Sequence, residues 1–253
     1  VARFGGDEFL ILQSDVATAA AVRRVCERIA RHLGAPYKLS GREAGIPASV
    51  GAIIATDQLR EASDYIRAAD MALYAAKAAG RNCYRFFTHE LDAEAKRRDQ
   101  LEMDLRNSLR NGSGVAVHFQ PQLNAHGDVV GVESLFRWTH PTLGLIPASE
   151  AIAIAEECDL ISRVGERVFR EAARFARLHP ELSVAVNLSP LQFVREGGLC
   201  EGLVSLSDEE KVPPHQLELE VTEQLFMRLD TGCEQQIEKL RNAGFRICLD
   251  DFG

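Results

Sequence analysis

The chain has 253 residues, 46% hydrophobic and 26% charged, which is typical of a globular protein. Its formal net charge of -8 argues against a surface that holds a nucleic-acid polymer through its phosphates. The six cysteines are scattered without a Cys-x-x-Cys pair, which favours buried thiols in a reducing cytoplasm over disulfides or a zinc site. The sequence shows neither a signal peptide nor an apolar run long enough to span a membrane.

The sequence at both ends of the chain indicates a fragment of a longer protein. Val1 leads directly into strand-like sequence, and Gly253 follows directly after another strand. Domain boundaries are usually polar and loosely structured. We therefore expect an internal piece of a longer cytoplasmic protein, whose upstream region would hold a sensory domain and any membrane tether.

The first motif is a glycine turn that carries two carboxylates. Residues 4–12 read Phe-Gly-Gly-Asp-Glu-Phe-Leu-Ile-Leu, a pattern that predicts a hairpin turn feeding a strand. In most hairpins, acids such as Asp7 and Glu8 simply solvate the turn. The alternative is that the bare backbone of Gly5 and Gly6, beside two carboxylates, admits a phosphate together with its magnesium ion.

Alternating helical and strand patterns follow this turn. They predict a helix over 16–33, strands over 37–39 and 48–55, and a helix over 59–79 that Gly80 stops. Lys77 and Arg81 lie four apart at the end of this helix and are expected to project from one helix face. They are either solvated cations that complement the helix C-terminus or ligands for an anion.

Residues 3–9 and 69–82 together resemble the GGDEF domain of diguanylate cyclases, an α/β domain of which the C-terminal part would be present. The resemblance implies that Gly5 and Gly6 contact GTP, that Asp7 and Glu8 serve metal binding and catalysis, and that Lys77 and Arg81 hold the triphosphate. It also implies that a further metal-binding aspartate, and any inhibitory product site, lie before Val1.

The second half of the chain repeats strand and helix. A charged helix over 86–110 is predicted as a linker. Strands are then predicted over 115–123, 129–138, 183–188, 217–223 and 245–251, and helices over 149–159, 162–178, 191–206 and 229–243. This alternation predicts parallel strands joined by right-handed crossovers, as in an α/β fold.

Polar side chains recur at the ends of these strands. The strand over 217–223 is either an edge strand with solvated glutamates or a buried strand whose carboxylates need partners. Asn187, Glu220 and Asp250 are spaced by roughly one strand–helix unit, and Glu133 fits the same place earlier. Strand ends assemble the active site of a (β/α)₈ barrel, and oxygen ligands favour Mg²⁺ or Mn²⁺. A pair of such ions is suited to phosphodiester hydrolysis.

This half resembles the EAL domain of cyclic di-GMP phosphodiesterases, a TIM-like (β/α)₈ barrel. The matching segments are residues 119–122, 133–138, 140–141, 186–189, 220–223 and 250–253. The resemblance implies metal ligation by Glu133, Asn187, Glu220, Asp250 and Asp251, with Glu223 ordering the adjacent loop. It further implies that Gln120 contacts a guanine base and Arg137 a substrate phosphate; the alternative for Arg137 is a salt bridge in the barrel mouth.

The sequence departs from the EAL pattern in several places. Ser134 stands where alanine is usual, a change expected to cost little because Glu133 is kept. Ala151 and Ala153 replace a usual phenylalanine and proline, which we interpret as a packing change. The family's later lysine, second glutamate and final strands would follow Gly253, so about five of eight strands are expected and this chain alone is expected to be inactive.

The leading hypothesis is a cyclic di-GMP signalling protein with a GGDEF part over 1–88, a linker helix over 89–112 and the N-terminal part of an EAL barrel over 113–253. The EAL part would hydrolyse cyclic di-GMP, and the GGDEF part would bind GTP and synthesise cyclic di-GMP or regulate its neighbour. A homodimer is expected for the parent protein. The alternatives are a receptor that binds cyclic di-GMP or GTP without catalysis, and an interaction scaffold that binds no nucleotide.

Overall fold

The computed structural model describes residues 1–14, 16, 18–39, 42–55, 61–194, 198–222 and 231–250, without the side chains of residues 39, 42, 194, 231, 232 and 250. The chain divides into two compact units, Val1–Asp99 and Gln100–Gly253. Within the described ranges, no helix is long and apolar enough to cross a membrane.

The first unit contains short strands and two helices, and a third helix leaves it. In chain order these are β1 (Ala2–Gly5), β2 (Glu8–Leu10), α1 (Ala19–Leu33), β3 (Tyr37–Leu39), β4 (Arg42–Ala44), β5 (Val50–Ala52), α2 (Ala62–Ala78), β6 (Tyr84–Phe86) and α3 (His89–Asn111). The strands pair as β1–β2 and β3–β4, both antiparallel, and as β5–β6, which is parallel. Helix α1 begins later than predicted because the Thr18 hydroxyl caps it, accepting the Ala21 N–H at 3.3 Å.

Helix α2 packs closely on β5 because both contact surfaces are made of small residues. Ala68, Ala72 and Ala76 recur every four residues along α2 and are buried. Gly51 lies opposite them on β5, and a Cβ atom there would collide with the backbone of Ala69 and Leu73. Only glycine fits this position, since backbone atoms cannot move aside as the end of a flexible side chain can.

The predicted start of the linker helix at Phe86 is wrong. Residues Tyr84–Phe86 form β6 instead, and the rings of Tyr84 and Phe86 meet edge to face with centroids 6.0 Å apart. Aromatic residues favour strands, and β5 offers this segment a parallel partner that a reading of the sequence alone does not show. Helix α3 begins at His89, after the Thr88 hydroxyl accepts the Leu91 N–H at 3.4 Å.

The second unit is a mixed sheet covered by helices. Its elements are β7 (Val115–Leu123), β8 (Val129–His140), β9 (Gly144–Ile146), α4 (Ala148–Glu157), α5 (Ile161–Leu178), β10 (Ser183–Leu188), α6 (Pro190–Val194), α7 (Leu199–Glu210), a 3₁₀ turn (Pro214–Gln216), β11 (Leu217–Thr222), α8 (Thr231–Asn242) and β12 (Arg246–Asp250). The strand order is β12-β11-β10-β8-β7, with β9 also paired to β8. The helix predicted over 191–206 is two helices, α6 and α7, and residues 195–197 between them lie outside the described residues.

The first two strands of this sheet are antiparallel, which corrects the all-parallel prediction. Strands β8, β10, β11 and β12 are parallel to one another, whereas β7 runs against β8. Only residues 124–128 join β7 to β8, too few for the crossover that parallel neighbours need. The Asn124 side chain closes this turn by accepting the N–H groups of His126 at 2.9 Å and Asp128 at 3.0 Å.

The second half of α3 packs into the core of the second unit. Leu101 and Leu105 are fully buried in that core. The Trp138 indole N–H donates to the Ser108 hydroxyl at 3.1 Å. His140 accepts backbone N–H groups at Nδ1, so its Nε2 carries the proton and donates to Asp104 at 3.0 Å. This hydrogen bond is the largest cause that lowers the pKa of Asp104, followed by one from Gln100.

Glu210 joins the end of α7 to α5 through two arginines. The Arg174 Nε lies 3.1 Å from both Glu210 carboxylate oxygens, and an Arg170 nitrogen lies 3.2 Å from one of them. Only 8% of the Glu210 surface is exposed. The hydrogen bond from Arg174, and then that from Arg170, hold the pKa of Glu210 below its ordinary value. The carboxylate is therefore stabilised in its charged form when the protein is folded.

This arrangement predicts how the stability of the second unit depends on pH. Because the folded pKa of Glu210 is lowered, its contribution is complete above the ordinary glutamate pKa of about 4.3 and is lost as the pH falls through the folded value. We expect the free energy of unfolding to fall less between pH 7 and pH 3.5 in Glu210→Gln than in the unsubstituted protein. Urea titrations followed by the fluorescence of Trp138 measure this difference.

The control for this prediction is Glu238→Gln on α8, which removes an exposed carboxylate. It should keep the pH dependence of the unsubstituted protein, because it leaves the Glu210 carboxylate and its contacts with Arg174 and Arg170 in place. Equal pH dependence in all three proteins would contradict the role assigned to Glu210.

Candidate functional site

The strand register brings the predicted polar residues to one side of the second sheet. Glu133 on β8 is the register partner of Gln120 on β7 and of Ala185 on β10. Two residues further along β10, Asn187 is the register partner of Glu220 on β11. Register partners, and residues two apart on one strand, share a face. We call the side that carries Gln120, Glu133, Asn187 and Glu220 the polar face.

Two candidate ligands on the polar face contact each other directly. The Asn187 side-chain amide donates to Glu133 Oε1 at 2.8 Å, across the β8–β10 boundary. Asn187 is exposed and Glu133 is half-buried, so both side chains are accessible from this face. The contact fixes how far apart two oxygen-bearing side chains from different strands lie.

The two glutamates of β11 differ sharply in environment. Strand β11 lies between β10 and β12, so the edge-strand interpretation is wrong. Only 8% of Glu220 is exposed, while Glu218 is half-buried and lies 3.8 Å from an Arg246 nitrogen on the neighbouring strand. A buried carboxylate requires hydrogen bonds, a counter-charge or a metal ion. Burial therefore distinguishes Glu220 from Glu218 as the candidate metal ligand.

Three of the predicted site residues are described only in part or not at all. Thr222 on β11 is the register partner of Asp250 on β12, but only the backbone of Asp250 is described. Asp251 and Glu223 lie outside the described residues. Among the side chains that are described, no three from histidine, cysteine, aspartate and glutamate group together as a metal site. The predicted ligand set differs from such a group because it includes the amide of Asn187 and the two C-terminal aspartates.

Two further predicted site residues flank this set on the polar face. Gln120 is exposed opposite Glu133. Arg137 lies four residues beyond Glu133 on β8, is half-buried, and donates to the carbonyl oxygen of Phe136 at 2.9 Å. The salt bridge considered for Arg137 is not formed with any described carboxylate. Its remaining guanidinium donors suit a ligand phosphate.

The serine that departs from the EAL pattern faces the other way. Ser134 is 2% exposed, and its hydroxyl donates to the Ala185 carbonyl oxygen at 2.6 Å. Because neighbouring residues of a strand point to opposite faces, this hydroxyl does not reach the polar face. The substitution therefore adds a satisfied hydrogen bond between β8 and β10 beside Glu133.

The glycine turn of the first unit is a hairpin between β1 and β2. Gly6 has a φ of 52°, and its carbonyl oxygen accepts from Arg3 at 3.1 Å (Nε) and 2.8 Å (Nη2). Sequence reasoning did not assign a role to Arg3, which lies at the start of the motif. Two nitrogens of its guanidinium group donate to this carbonyl oxygen and so hold the turn. Among the described residues other than Gly5 and its two chain neighbours, no atom lies within 4 Å of where a Cβ of Gly5 would be, so the turn is open on that side.

The candidate triphosphate residues are not on one helix face as predicted. Lys77 is in the last turn of α2 and lies 3.7 Å from Glu8 Oε1, both side chains being about half exposed. Helix α2 ends at Ala78, and Arg81 follows Gly80 in a left-handed conformation with a φ of 61°. The glycine stop therefore separates Arg81 from the helix, while Lys77 still contacts the acidic turn through Glu8.

Comparison with known protein families agrees with both motifs. Residues 102–253 match the family model described as the EAL domain, and residues 1–83 match the one described as the diguanylate cyclase, GGDEF domain. This chain belongs to the EAL domain family. It joins a GGDEF unit and an EAL unit in tandem, and the fold is the α/β class predicted, with the second unit corresponding to part of the TIM-like barrel of EAL domains.

Two curated relatives from Pseudomonas aeruginosa strain PAO1 align with the whole chain. One, described as the bifunctional diguanylate cyclase/cyclic di-GMP phosphodiesterase MucR, is 36% identical, and the alignment covers 100% of this chain and 37% of MucR. The other, described as the cyclic di-GMP phosphodiesterase NbdA, is 34% identical over 100% of this chain and 33% of NbdA. The chain thus spans about a third of the length of these relatives.

A solved structure also matches part of this GGDEF–EAL chain. It is described as the PaMucR phosphodiesterase in complex with c-di-GMP, and it is 39% identical with a TM-score of 0.57. The match covers 61% of this chain and 64% of that one.

Proposed function

We propose that the EAL unit hydrolyses cyclic di-GMP to its linear dinucleotide. The observation that carries this proposal is the meeting of Glu133, Asn187 and Glu220 on the polar face, with Asn187 and Glu133 in contact at 2.8 Å. The relatives described as cyclic di-GMP phosphodiesterases and the related structure with bound c-di-GMP support the choice of substrate.

The oxygen atoms on the polar face fit divalent cations, on which EAL phosphodiesterases depend. Glu133, Asn187 and Glu220 offer carboxylate and amide oxygens from three adjacent strands, a donor set suited to Mg²⁺ or Mn²⁺. We propose that Asp250 and Asp251 complete this set and that Glu223 orders the loop beside it. Two bound ions would supply an activated water and charge stabilisation at the leaving oxygen.

Two side chains of the EAL unit would hold the substrate while water displaces one oxygen from phosphorus. We propose that Arg137 binds a phosphate oxygen and Gln120 binds a guanine base. A water oxygen bonds to phosphorus, and the bond from phosphorus to one ribose 3′ oxygen breaks. That 3′ oxygen takes up the proton that the attacking water gives up, which leaves a 5′-phosphate and a free 3′-hydroxyl on the linear product.

For the GGDEF unit we propose GTP binding at the β1–β2 hairpin, with cyclic di-GMP synthesis as the reaction this permits. The open turn at Gly5 and Gly6 lets a phosphate approach the backbone, and Asp7 and Glu8 would hold its metal ion. Lys77, already 3.7 Å from Glu8, would bind the triphosphate together with Arg81. A bound nucleotide would then replace the Lys77–Glu8 contact with phosphate and metal contacts.

The resemblance to GGDEF–EAL proteins also supports proposals about domain boundaries, location and assembly. We propose a GGDEF part over 1–88, a connecting helix over 89–112 whose second half packs into the core of the second unit, and an EAL part over 113–253. We further propose a cytoplasmic location, a homodimeric parent protein and a sensory domain upstream.

The decisive experiment incubates the full gene product with cyclic di-GMP and Mg²⁺ or Mn²⁺ and follows the linear dinucleotide. We expect product that depends on the metal ion and disappears in Glu133→Ala. Binding of cyclic di-GMP without turnover would overturn the proposal in favour of a receptor. Absence of any nucleotide binding by the folded protein would favour a scaffold.

A further inference from the structure

The turn that follows Asn187 is built as a reciprocal helix cap. Ser189 precedes α6, and its backbone N–H donates to the Gln192 side-chain oxygen at 2.9 Å. In return, the Ser189 hydroxyl accepts the Leu191 N–H at 3.2 Å. Pro190 stands at the first helical position, where its fixed φ suits the helix. The sequence Ser-Pro-Leu-Gln thus closes the strand end with a capping box.

A carboxylate from another helix locks the serine of this cap. The Ser189 hydroxyl donates to Glu156 Oε1 on α4 at 2.6 Å, a length typical of a hydrogen bond to a charged oxygen. The same hydroxyl accepts from the Leu191 N–H, so it donates one hydrogen bond and accepts another. Glu156 therefore determines the rotamer of Ser189 and ties the turn to α4.

The glutamine of the cap, Gln192, packs against helix α5. Gln192 is 8% exposed and lies against Gly165 on α5. A Cβ atom at Gly165 would collide with the Gln192 amide nitrogen. Glycine at this position gives the Gln192 side chain the room it needs to reach back to Ser189. The turn is thus anchored to α4 through Glu156 and to α5 through Gln192.

This anchored turn begins at Ser189, directly after β10 and two residues beyond Asn187. Leu188 is buried, whereas Asn187 is exposed and its amide contacts Glu133. An exposed side chain near the end of a strand has few packing contacts, so its direction depends on the backbone on either side. The β-ladder to β11 pairs Asn187 with Glu220 and Leu188 with Val221, and the cap holds the backbone from Ser189 onward.

We propose that Glu156, Ser189 and Gln192 are positioning residues that hold Asn187 in place to bind a metal ion beside Glu133. The inference rests on the proposed function of the EAL unit. None of the three side chains has to touch the metal ion or the substrate. Their effect is carried by the short backbone segment between Asn187 and Ser189.

The test measures Mn²⁺ binding to the full gene product in the absence of nucleotide, by the electron paramagnetic resonance signal of free Mn²⁺. Ser189→Ala removes both hydrogen bonds of the hydroxyl, and we expect the Kd for Mn²⁺ to rise at least about 10-fold. Ser189→Thr keeps the hydroxyl and should restore binding. Glu156→Gln, which still accepts a hydrogen bond, should have a smaller effect than Glu156→Ala.

A second readout reports on Asn187 without a metal ion. The side-chain amide resonances of Asn187 in an NMR spectrum should shift in Ser189→Ala, because the Asn187–Glu133 contact loosens. Ser108→Ala is the matched control: it deletes a buried hydroxyl that bonds to Trp138, well away from the polar face. It should leave both the Asn187 resonances and the Mn²⁺ affinity unchanged.

The outcomes separate this inference from the proposed function. If the unsubstituted protein binds Mn²⁺ and hydrolyses cyclic di-GMP while Ser189→Ala matches Ser108→Ala in both readouts, the positioning role is overturned and the function stands. If the unsubstituted protein binds no Mn²⁺, both are overturned. A Kd change without rescue by Ser189→Thr would also overturn the positioning role.

Discussion

In the full gene product, Glu220→Gln is expected to lower the proposed metal-dependent hydrolysis of cyclic di-GMP by about 100-fold or more without unfolding the EAL unit. The amide keeps the size of the side chain and its capacity for hydrogen bonds, but it removes one negative charge from the polar face. Glu220 is 8% exposed and is the register partner of Asn187, so its carboxylate is held within the sheet on the polar face. Initial rates at several Mn²⁺ concentrations measure the effect.

The matched control is Glu218→Gln, on the same strand and the same face. Glu218 is half-buried and lies 3.8 Å from Arg246, so its substitution should change stability slightly and leave the rate within a factor of about two. Thermal unfolding of both variants shows whether they are folded. Equal losses of activity in the two variants, or full activity in Glu220→Gln, would contradict the assignment of Glu220 as a metal ligand.

Leu105→Ala is expected to destabilise the EAL unit by about 2–5 kcal/mol, the usual cost of truncating a fully buried leucine. Leu105 lies on α3, the helix predicted as a linker, yet none of its surface is exposed and it belongs to the core of the second unit. A linker helix that only connects two domains would tolerate the change. The expected loss therefore tests whether this half of α3 is part of the EAL fold.

Met103→Ala provides the control on the same helix. Met103 is 59% exposed, and its truncation should change the free energy of unfolding by no more than about 0.5 kcal/mol. Trp138 is the single tryptophan of the sequence and bonds to Ser108 on α3, so its fluorescence in a urea titration reports on this contact. Equal midpoints for Leu105→Ala and Met103→Ala would show that α3 does not contribute to the core.

Some features of the site followed from local pattern. Alternation with period two along residues 217–223 predicted which residues share a face, and the same alternation is seen in β11, where Leu217, Leu219 and Val221 are all buried. The position of Asn187 near a strand end was likewise visible in the sequence. These predictions succeed because side-chain direction along a strand depends only on the backbone of that strand.

Other features depend on which strand lies beside which. The sequence predicted parallel strands throughout, but the short connection between β7 and β8 makes that pair antiparallel. The sequence did not predict which of Glu218 and Glu220 is buried, since both occupy equivalent places in the period-two alternation of β11. Only the neighbours β10 and β12, and the position of Arg246, distinguish them.

By itself, the sequence determined the α/β class, the tandem of GGDEF and EAL motifs and the polar residues at successive strand ends. The tertiary structure decided that α3 packs into the second unit, that Glu220 is buried while Glu218 is paired with Arg246, and that Glu156 on a distant helix holds Ser189. Local pattern encodes the direction of a side chain relative to its own backbone. Burial and hydrogen-bond partners depend on contacts between segments far apart in the chain, and these exist only once the chain has folded.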